Sequence, residues 1–277
     1  MKKYLVVGNP ISHSMSPELH NYWLKENKIS GIYERQKLKI NELKKLVLKI
    51  KNKKIIGANV TVPFKKKIIP YLDKLTPEAQ NTQSVNTIFL DNDRLIGHNT
   101  DISGFEKAIK DTKYNLAKKK ILILGAGGVV SSIIFALHKM KVFSVTLSNR
   151  TKTKAENLKS FFNNTIVNRN KITVIDWGEI PNFDMVINAT SVGLKNNDKL
   201  NIDFSKIEKG KFFYDVIYNP EETNFLKLGK NFGCKIENGK KMFIYQAAEA
   251  FKIWHGIYPK INHKVIGLLN KWLKLEF

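Results

Sequence analysis

An apolar run that leads into a glycine-rich turn constrains the fold of this chain more than any other feature. Residues 121–124 are all Ile or Leu, and apolar residues recur at helical spacing over 129–140, after the turn Gly125-Ala126-Gly127-Gly128. The unbroken run is typical of a strand covered on both faces of a parallel sheet. A glycine turn before a helix leaves backbone N–H groups free to attract a phosphate. The pattern predicts the first βα unit of a dinucleotide-binding fold.

The residues after the next predicted strand, 144–148, indicate which dinucleotide is bound. An NAD enzyme places an acidic residue about 20 residues beyond the glycines, where it binds the ribose 2′-hydroxyl. Here the chain has Asn149, Arg150, Thr151 and Lys154. A guanidinium pairs with a 2′-phosphate, which a carboxylate would repel. The sequence therefore predicts NADP rather than NAD. The alternative, a solvated basic helix start, is disfavoured because cations are misplaced at a helix N-terminus without a bound anion.

Composition limits the class of protein. The chain has 277 residues, 43% of them hydrophobic, which suffices for one large or two modest domains. Its apolar runs are shorter than the roughly 18 residues of a membrane helix, and the apolar start is too short for a signal peptide, so residues 4–8 are predicted to form a first strand. The single cysteine, Cys234, excludes an intrachain disulfide. We expect a cytoplasmic protein without membrane partners.

The net charge of +23 raises the possibility of nucleic-acid binding. The lysines are spread along the whole chain in short groups, with no basic tail or known nucleic-acid motif. We therefore expect a solvated basic surface that attracts small anions, and no specific nucleic-acid partner.

The N-terminal half alternates predicted strands and helices, as a separate small α/β domain would. Further strands are predicted at 31–38 and 55–62, with a hairpin of 84–90 and 94–97. Ser16 is predicted to cap a helix that continues with Pro17, and Asn41 to cap a helix that ends at Lys51. The second half repeats the strand–helix pattern after a junction near residue 101.

Polar side chains gather near the predicted strand ends of the first half. They are Ser14, Ser16, Thr61, Lys65, Asn86, Asn99 and Asp101. Ligands of open α/β sheets bind outside the carboxyl ends of the strands, and these groups suit a carboxylated, hydroxylated ligand. Simpler roles remain open: helix capping for Ser16 and Asp101, and an ordinary surface lysine for Lys65.

The same residues belong to an ordered series of motifs that resembles the shikimate dehydrogenases over essentially the whole length. The matching segments are Ser12-His13-Ser14-Met15-Ser16-Pro17 with His20-Asn21, Asn59-Val60-Thr61-Val62-Pro63-Phe64-Lys65, Val85-Asn86-Thr87, Gly97-His98-Asn99-Thr100-Asp101, Gly125-Ala126-Gly127-Gly128, Asn149-Arg150-Thr151, Asn188-Ala189-Thr190-Ser191, Tyr214-Asp215-Val216-Ile217-Tyr218-Asn219-Pro220 and Tyr245-Gln246-Ala247-Ala248-Glu249.

The resemblance implies reversible reduction of 3-dehydroshikimate to shikimate with NADPH, a step of chorismate and aromatic amino-acid biosynthesis. It implies that Lys65 and Asp101 form the catalytic pair and that no metal is needed. The substrate-binding residues that it implies are Ser14, Ser16, Thr61, Lys65, Asn86, Asp101, Tyr218 and Gln246. The cofactor-binding residues that it implies are Gly125, Ala126, Gly127, Gly128, Val129, Asn149, Arg150, Thr151, Lys154, Thr190, Val216, Gly239 and Met242.

We therefore predict an α/β protein of two domains. Residues 1–101 with 240–277 form an N-terminal α/β substrate domain, and residues 102–239 form an NADP-binding, Rossmann-type doubly wound parallel sheet. The ligands are expected to be small molecules, and the protein to be a monomer or homodimer. The alternatives are an NAD-preferring quinate/shikimate dehydrogenase and, more remotely, a non-enzymatic ligand-sensing module on the same fold.

Overall fold

The computed structural model describes residues 1–165, 171–195 and 197–275. The chain divides into two compact units: Met1–Gly104 with Ile244–Phe277, and Phe105–Phe243. No helix among the described residues is both long and apolar enough to cross a lipid bilayer.

Strands and helices alternate along most of the described chain. The strands are β1 Lys2–Gly8, β2 Gly31–Lys37, β3 Gly57–Val60, β4 Lys74–Leu75, β5 Thr87–Asp91, β6 Arg94–His98, β7 Lys120–Leu124, β8 Ser144–Ser148, β9 Lys171–Ile175, β10 Met185–Asn188, β11 Phe212–Asp215 and β12 Lys235–Glu237. The helices are α1 Ser16–Glu26, α2 Leu43–Lys51, α3 Pro77–Thr82, α4 Asp101–Asp111, α5 Val130–Lys139, α6 Lys152–Thr165, α7 Asn224–Asn231, α8 Lys240–His255 and α9 His263–Leu275.

The sheet of the second unit is parallel and doubly wound, as predicted. Its strand order is β12-β11-β10-β7-β8-β9, and each neighbouring pair is parallel. This is the strand order of dinucleotide-binding folds, in which the chain reverses direction across the sheet beside its first strand. That strand, β7, is the apolar run of the predicted βα unit, and its residues 121–124 are buried. The predicted α/β fold is confirmed.

The sheet of the first unit is mixed. Its order is β2-β1-β3-β5-β6-β4, with β1 parallel to both of its neighbours and β5 antiparallel to β3 and β6. The predicted hairpin is present as β5 and β6, and Asn92 and Asp93 between them have φ of 46° and 60°. Asn and Asp tolerate this left-handed conformation, which two-residue hairpin turns require.

Two predicted helix caps are wrong. Helix α1 begins at Ser16 itself, and Met15 occupies the capping position without a side-chain cap. The Ser14 hydroxyl instead accepts a hydrogen bond from the Ser16 backbone N–H at 3.4 Å. Asn41 lies inside a 3-10 turn, Ile40–Glu42, that precedes α2. There the Glu42 carboxylate accepts from the Lys39 backbone N–H at 2.6 Å, so an acidic side chain stabilises the turn.

Two strand boundaries also differ from the prediction. β3 spans Gly57–Val60 rather than 55–62, and β5 begins at Thr87 rather than at residue 84. Helix α3 is absent from the sequence prediction, although Thr76 caps it and Pro77 is its first residue. The signal is the same Thr/Ser-Pro-acid pattern that located α1, but α3 is too short to show apolar periodicity.

An aromatic cluster fixes the first two strands against α1 and α8. His20 lies at its centre: its ring stacks on Tyr33 at 4.2 Å between centroids and meets Trp23 edge-on. Its Nε2 atom has no hydrogen-bond partner among the described residues. Burial, with a smaller contribution from the charge of His255, lowers the pKa of His20 to about 3. His20 is therefore buried in its neutral form.

The buried imidazole makes the stability of the protein sensitive to acid. Because the pKa of His20 in the folded state lies below its usual value of about 6.5, its contribution is complete above that pH and is lost as the pH falls towards 3. We expect the wild type to lose about 1.4 kcal/mol of unfolding free energy per pH unit below pH 6, relative to His20→Phe. Urea unfolding of both proteins between pH 7 and 4.5 measures this difference. Parallel pH profiles would contradict it.

Candidate functional site

An ion pair lies where the polar loops of the first unit meet. The Lys65 Nζ atom is 2.5 Å from Asp101 Oδ2, and the two side chains are 13% and 8% exposed. Lys65 belongs to the loop after β3, and Asp101 is the first residue of α4. The carboxylate therefore holds the ammonium in one orientation while leaving it partly accessible to a ligand.

The side chain of Asn86 holds the aspartate from the other side. Its Nδ2 donates to Asp101 Oδ1 and to Thr100 Oγ1, each at 2.9 Å, and more distantly to Gln246 Oε1 at 3.4 Å. Its Oδ1 accepts from the Thr100 backbone N–H at 2.8 Å. The two N–H bonds of the Asn86 amide thus face three acceptors. Gln246 Oε1 is the most distant of them, so it is the partner that a ligand oxygen would replace most easily.

The direction of β5 explains how Asn86 reaches the ion pair. Ligand-binding residues follow the carboxyl ends of parallel strands, as Lys65 follows β3. Asn86 instead precedes β5, but β5 is antiparallel to β3 and β6. Its amino end therefore lies at the same edge of the sheet as the carboxyl ends of its neighbours. Hydrogen bonds from Val60 N to Asn86 O and from Asn86 N to His98 O fix this alignment.

The two candidate serines contact each other at the start of α1. Ser14 Oγ donates to Ser16 Oγ at 3.2 Å, and the Ser14 carbonyl accepts from Arg35 Nε at 2.6 Å. Thr61 begins the loop after β3, where its methyl group packs on Gly8: a Cβ on that glycine would lie 2.6 Å away. Ser14 and Thr61 therefore lie in the loops after β1 and β3, and Ser16 is the first residue of α1.

A buried hydrogen-bond network, which sequence reasoning missed, connects β2 and β3 with the ion pair. The Tyr33 hydroxyl donates to Asn59 Oδ1 at 2.6 Å. Asn59 Nδ2 in turn donates to the Asn86 carbonyl and to Thr87 Oγ1, each at 3.0 Å. Asn59 belongs to a motif of the family resemblance that implies no role for it, whereas nothing in the sequence distinguishes Tyr33 from a core tyrosine.

Tyr33 is itself held at the open edge of the sheet. β2 is the edge strand, so its outward backbone groups need partners. Asn21 supplies them: its Nδ2 donates to the Tyr33 carbonyl at 2.8 Å, and its Oδ1 accepts from the Tyr33 N–H at 2.9 Å. The motif residue Asn21 thus positions Tyr33, while its neighbour His20 stacks on the ring.

The glycine turn of the second unit has the backbone that the sequence predicts. Gly125 has φ of 111°, and a Cβ there would lie 2.8 Å from the Ala189 carbonyl. Gly127 and Gly128 are exposed at the tip of the turn, just before α5 and its cap residue Val129. A Cβ on Gly127 would meet only the Ala189 carbonyl, at 3.9 Å. Open space beside exposed backbone at a helix start suits a diphosphate.

The basic residues after β8 are exposed. Asn149 Nδ2 donates to the Thr151 carbonyl at 2.7 Å and so closes the turn into α6. Lys152 pairs with Asp176 at 2.8 Å. No carboxylate of the described chain forms an ion pair with Arg150 or Lys154. Both cations therefore remain available to an anionic ligand at this edge of the sheet.

The remaining candidate residues of the second unit lie after β10 and β11. Thr190 follows β10, while Val216 and Tyr218 follow β11. Gly239 precedes α8, and a Cβ on it would lie 2.1 Å from the Val216 carbonyl. These residues lie in the second unit, as do the glycine turn and the basic residues after β8. Met242 is buried in α8. Tyr218 belongs to the second unit, whereas the other candidate substrate residues all belong to the first unit.

A buried carboxylate, also without a predicted role, ends β11. Burial raises the pKa of the Asp215 carboxyl to about 6, although hydrogen bonds from Thr223, Ile217 and Asn188 act in the opposite direction. Asp215 and Asn188 both belong to motifs in the sequence. Their pairing was not predicted because the two residues lie in different strands.

The described residues of the second unit fit a dinucleotide phosphate. The exposed glycine turn and the start of α5 supply N–H groups for a diphosphate. The free cations Arg150 and Lys154 supply a site for one more phosphate group, as a 2′-phosphate requires.

Models of two protein families match the chain. The model described as the shikimate dehydrogenase substrate binding domain matches residues 6–88. The model described as shikimate/quinate 5-dehydrogenase matches residues 106–218.

Individual relatives match along nearly the whole length. A protein of Pelagibacter ubique, named shikimate dehydrogenase (NADP(+)), is 54% identical over 97% of this chain and 99% of its own. The crystal structure of a Thermus thermophilus shikimate 5-dehydrogenase with NADP(H) and shikimate has a TM-score of 0.84, with 30% identity over 94% of this chain and 95% of that one. The Listeria monocytogenes enzyme with shikimate and NAD has a TM-score of 0.88, with 29% identity over 97% and 96% of the two chains.

The contact between Gly125 and Ala189 makes a testable prediction. Gly125 and Gly178 both have positive φ, at 111° and 101°, but a Cβ on Gly178 would meet nothing within 4 Å. Gly178→Ala should cost about 1–2 kcal/mol of unfolding free energy from the backbone conformation alone. Gly125→Ala should cost clearly more, because the added carbon also displaces the Ala189 carbonyl. Urea unfolding measures both variants, and equal midpoints would contradict the contact.

Proposed function

Because the chain belongs to the shikimate dehydrogenase family, we propose that it catalyses the reversible NADPH-dependent reduction of 3-dehydroshikimate to shikimate. The observation that carries this proposal is the ion pair of Lys65 and Asp101, held by Asn86 at one edge of the first sheet. In this role the protein is an oxidoreductase of chorismate and aromatic amino-acid biosynthesis.

Lys65 performs the proton transfer in this proposal. Reduction of the ketone adds a hydride to the carbonyl carbon and leaves negative charge on its oxygen. The Lys65 ammonium stabilises that charge and donates the proton that converts the alkoxide to the hydroxyl of shikimate. In the oxidation direction the neutral amine takes the same proton back. Asp101 keeps the ammonium oriented through its 2.5 Å contact.

The neighbouring polar side chains bind the remaining groups of the substrate. The hydroxyls of Ser14 and Ser16 donate to its carboxylate at the start of α1, where the helix N-terminus favours negative charge. Thr61, Asn86, Asp101 and Gln246 bind its hydroxyl groups, and Tyr218 contributes a further contact. The network from Tyr33 through Asn59 to Asn86 fixes the reacting end.

The second unit binds the cofactor in this proposal. When bound, NADPH supplies the hydride. The turn of Gly125, Ala126, Gly127, Gly128 and Val129 holds the diphosphate, and Asn149, Arg150, Thr151 and Lys154 hold the adenosine 2′-phosphate. Thr190, Val216, Gly239 and Met242 lie beside the nicotinamide. No step assigned to Lys65 requires a metal ion.

The NAD-preferring alternative is less well supported. The relative with 54% identity is named for NADP(+), and Arg150 and Lys154 stand where NAD enzymes need a carboxylate. A cytoplasmic location and a monomeric or homodimeric state remain predictions from the sequence and the family.

The absorbance of reduced nicotinamide tests the proposed function. With shikimate, the wild type should reduce NADP much faster than NAD. Arg150→Ala should raise KM for NADP by about tenfold or more, because it removes a charged hydrogen bond to the 2′-phosphate, and should leave KM for NAD unchanged. Lys159→Ala, in the helix α6 that follows Arg150, controls for the loss of a positive charge.

Two outcomes would contradict the proposal in different ways. No reduction of either cofactor with shikimate would overturn the proposed reaction. Equal use of NAD and NADP by the wild type, with no effect of Arg150→Ala, would overturn the assignment of the 2′-phosphate site and favour the NAD-dependent alternative.

A further inference from the structure

Asp215 is a buried carboxylate that accepts hydrogen bonds from three different segments of the chain: β10, the loop after β11 and the residue that caps α7. It is 0% exposed. Oδ1 accepts from the Ile217 backbone N–H at 3.0 Å, and Oδ2 accepts from the Thr223 hydroxyl at 2.7 Å. Both oxygens lie 3.1 Å from Asn188 Nδ2. No lysine or arginine in the described part of the chain pairs with it, so these hydrogen bonds alone compensate for its burial.

The first of these segments is β10, and its last residue, Asn188, connects Asp215 to the loop that follows. Asn188 Nδ2 donates to Asp215 and to the Val192 carbonyl at 3.0 Å, so its Oδ1 must face the other way. There Oδ1 accepts from the Thr190 N–H at 3.2 Å and from the Thr190 hydroxyl at 2.7 Å. The carboxylate therefore fixes the orientation of the Asn188 amide, and the amide fixes Thr190.

The second segment is the loop after β11. The Ile217 N–H binds Asp215, and the Ile217 carbonyl accepts from the Gly239 N–H at 3.0 Å. Gly239 also lies against the Val216 carbonyl, with no room for a Cβ. One carboxylate is thus connected to Thr190, Val216 and Gly239. These residues are the ones proposed above to lie beside the nicotinamide.

We propose that Asp215 is a positioning residue that holds the nicotinamide-binding loops after β10 and β11 in place, without touching the cofactor. This inference rests on the proposed function, because it concerns how NADP is bound. The hydrogen bonds of the Asp215 network lead to Thr190, Val192 and Gly239, and none of them reaches Arg150 or Lys154. The glycine turn meets this network through the contact of Gly125 with Ala189 and Thr190. The carboxylate therefore acts mainly on the nicotinamide half of the dinucleotide.

The chemistry of the network requires a carboxylate rather than an amide. Asp215 makes four hydrogen-bond contacts, and in each of them a carboxylate oxygen accepts from an N–H or O–H group. An asparagine would place an NH₂ group against at least one of these donors. Asp215→Asn therefore changes no volume but breaks the donor–acceptor match, and the Asn188 amide loses its fixed orientation.

Calorimetric binding of two ligands tests this role without relying on turnover. NADP uses both halves of the site, whereas adenosine 2′,5′-bisphosphate uses only the adenosine half. Asp215→Asn should weaken NADP binding by about tenfold and leave adenosine 2′,5′-bisphosphate binding within about twofold of wild type. Thr223→Val removes one donor to Asp215 and should give the same pattern with a smaller loss, which provides a milder variant if Asp215→Asn fails to fold.

Asp184→Asn is the matched control. Asp184 precedes β10 at the opposite edge of the same sheet, where its Oδ2 accepts from the Lys120 N–H at 2.8 Å. This variant should bind both ligands as the wild type does.

The outcomes separate the two proposals. Equal loss of both ligands in Asp215→Asn and Thr223→Val would mean a general structural defect, and unchanged NADP binding would mean no role in binding; either result overturns the positioning role. Failure of the wild type to bind NADP at all would overturn the proposed function itself.

Discussion

The ion pair of Lys65 and Asp101 is the interaction on which the proposed chemistry depends. Both side chains are largely buried, and a charge removed from water is costly unless it is paired and hydrogen-bonded. The lysine satisfies one oxygen of Asp101, and Asn86 satisfies the other. An acid that can protonate an alkoxide is thereby held, charged, at the edge of a sheet whose neighbouring loops carry hydroxyl and amide groups.

The fold brings this constellation together through the mixed pairing of its first sheet. Because β5 runs against β3 and β6, the residue before it lies beside the residues after them. A purely parallel sheet would place Asn86 at the opposite edge. The Tyr33–Asn59 network then connects β2 and β3 to Asn86 through buried hydrogen bonds, so packed side chains fix the position of Asn86 beside the ion pair. Buried hydrogen bonds also connect distant segments in the second unit, where the Asp215 carboxylate joins Asn188 to the loop after β11.

The sequence predicted those features that local pattern determines. The apolar run of β7, the glycine turn and the basic residues after β8 each lie within one short segment, and the parallel sheet around them is confirmed. The features that it missed depend on contacts between distant segments. Tyr33 and Asn59 meet only when β1 is inserted between their strands, and Asp215 meets Asn188 only when β10 and β11 pair. The cap assigned to Ser16 was wrong because α1 begins one residue earlier than the Ser-Pro pattern indicates, so that Met15 occupies the capping position.

The most direct test of the central claim compares Lys65→Ala with Lys66→Ala, in which the neighbouring exposed lysine is removed. Turnover of shikimate with NADP and calorimetric binding of shikimate are measured for both variants. The account predicts that kcat falls by about 10²–10⁴-fold in Lys65→Ala, while shikimate is still bound and Lys66→Ala behaves as the wild type. Equal kcat in the two variants would contradict the assignment of Lys65 as the proton donor.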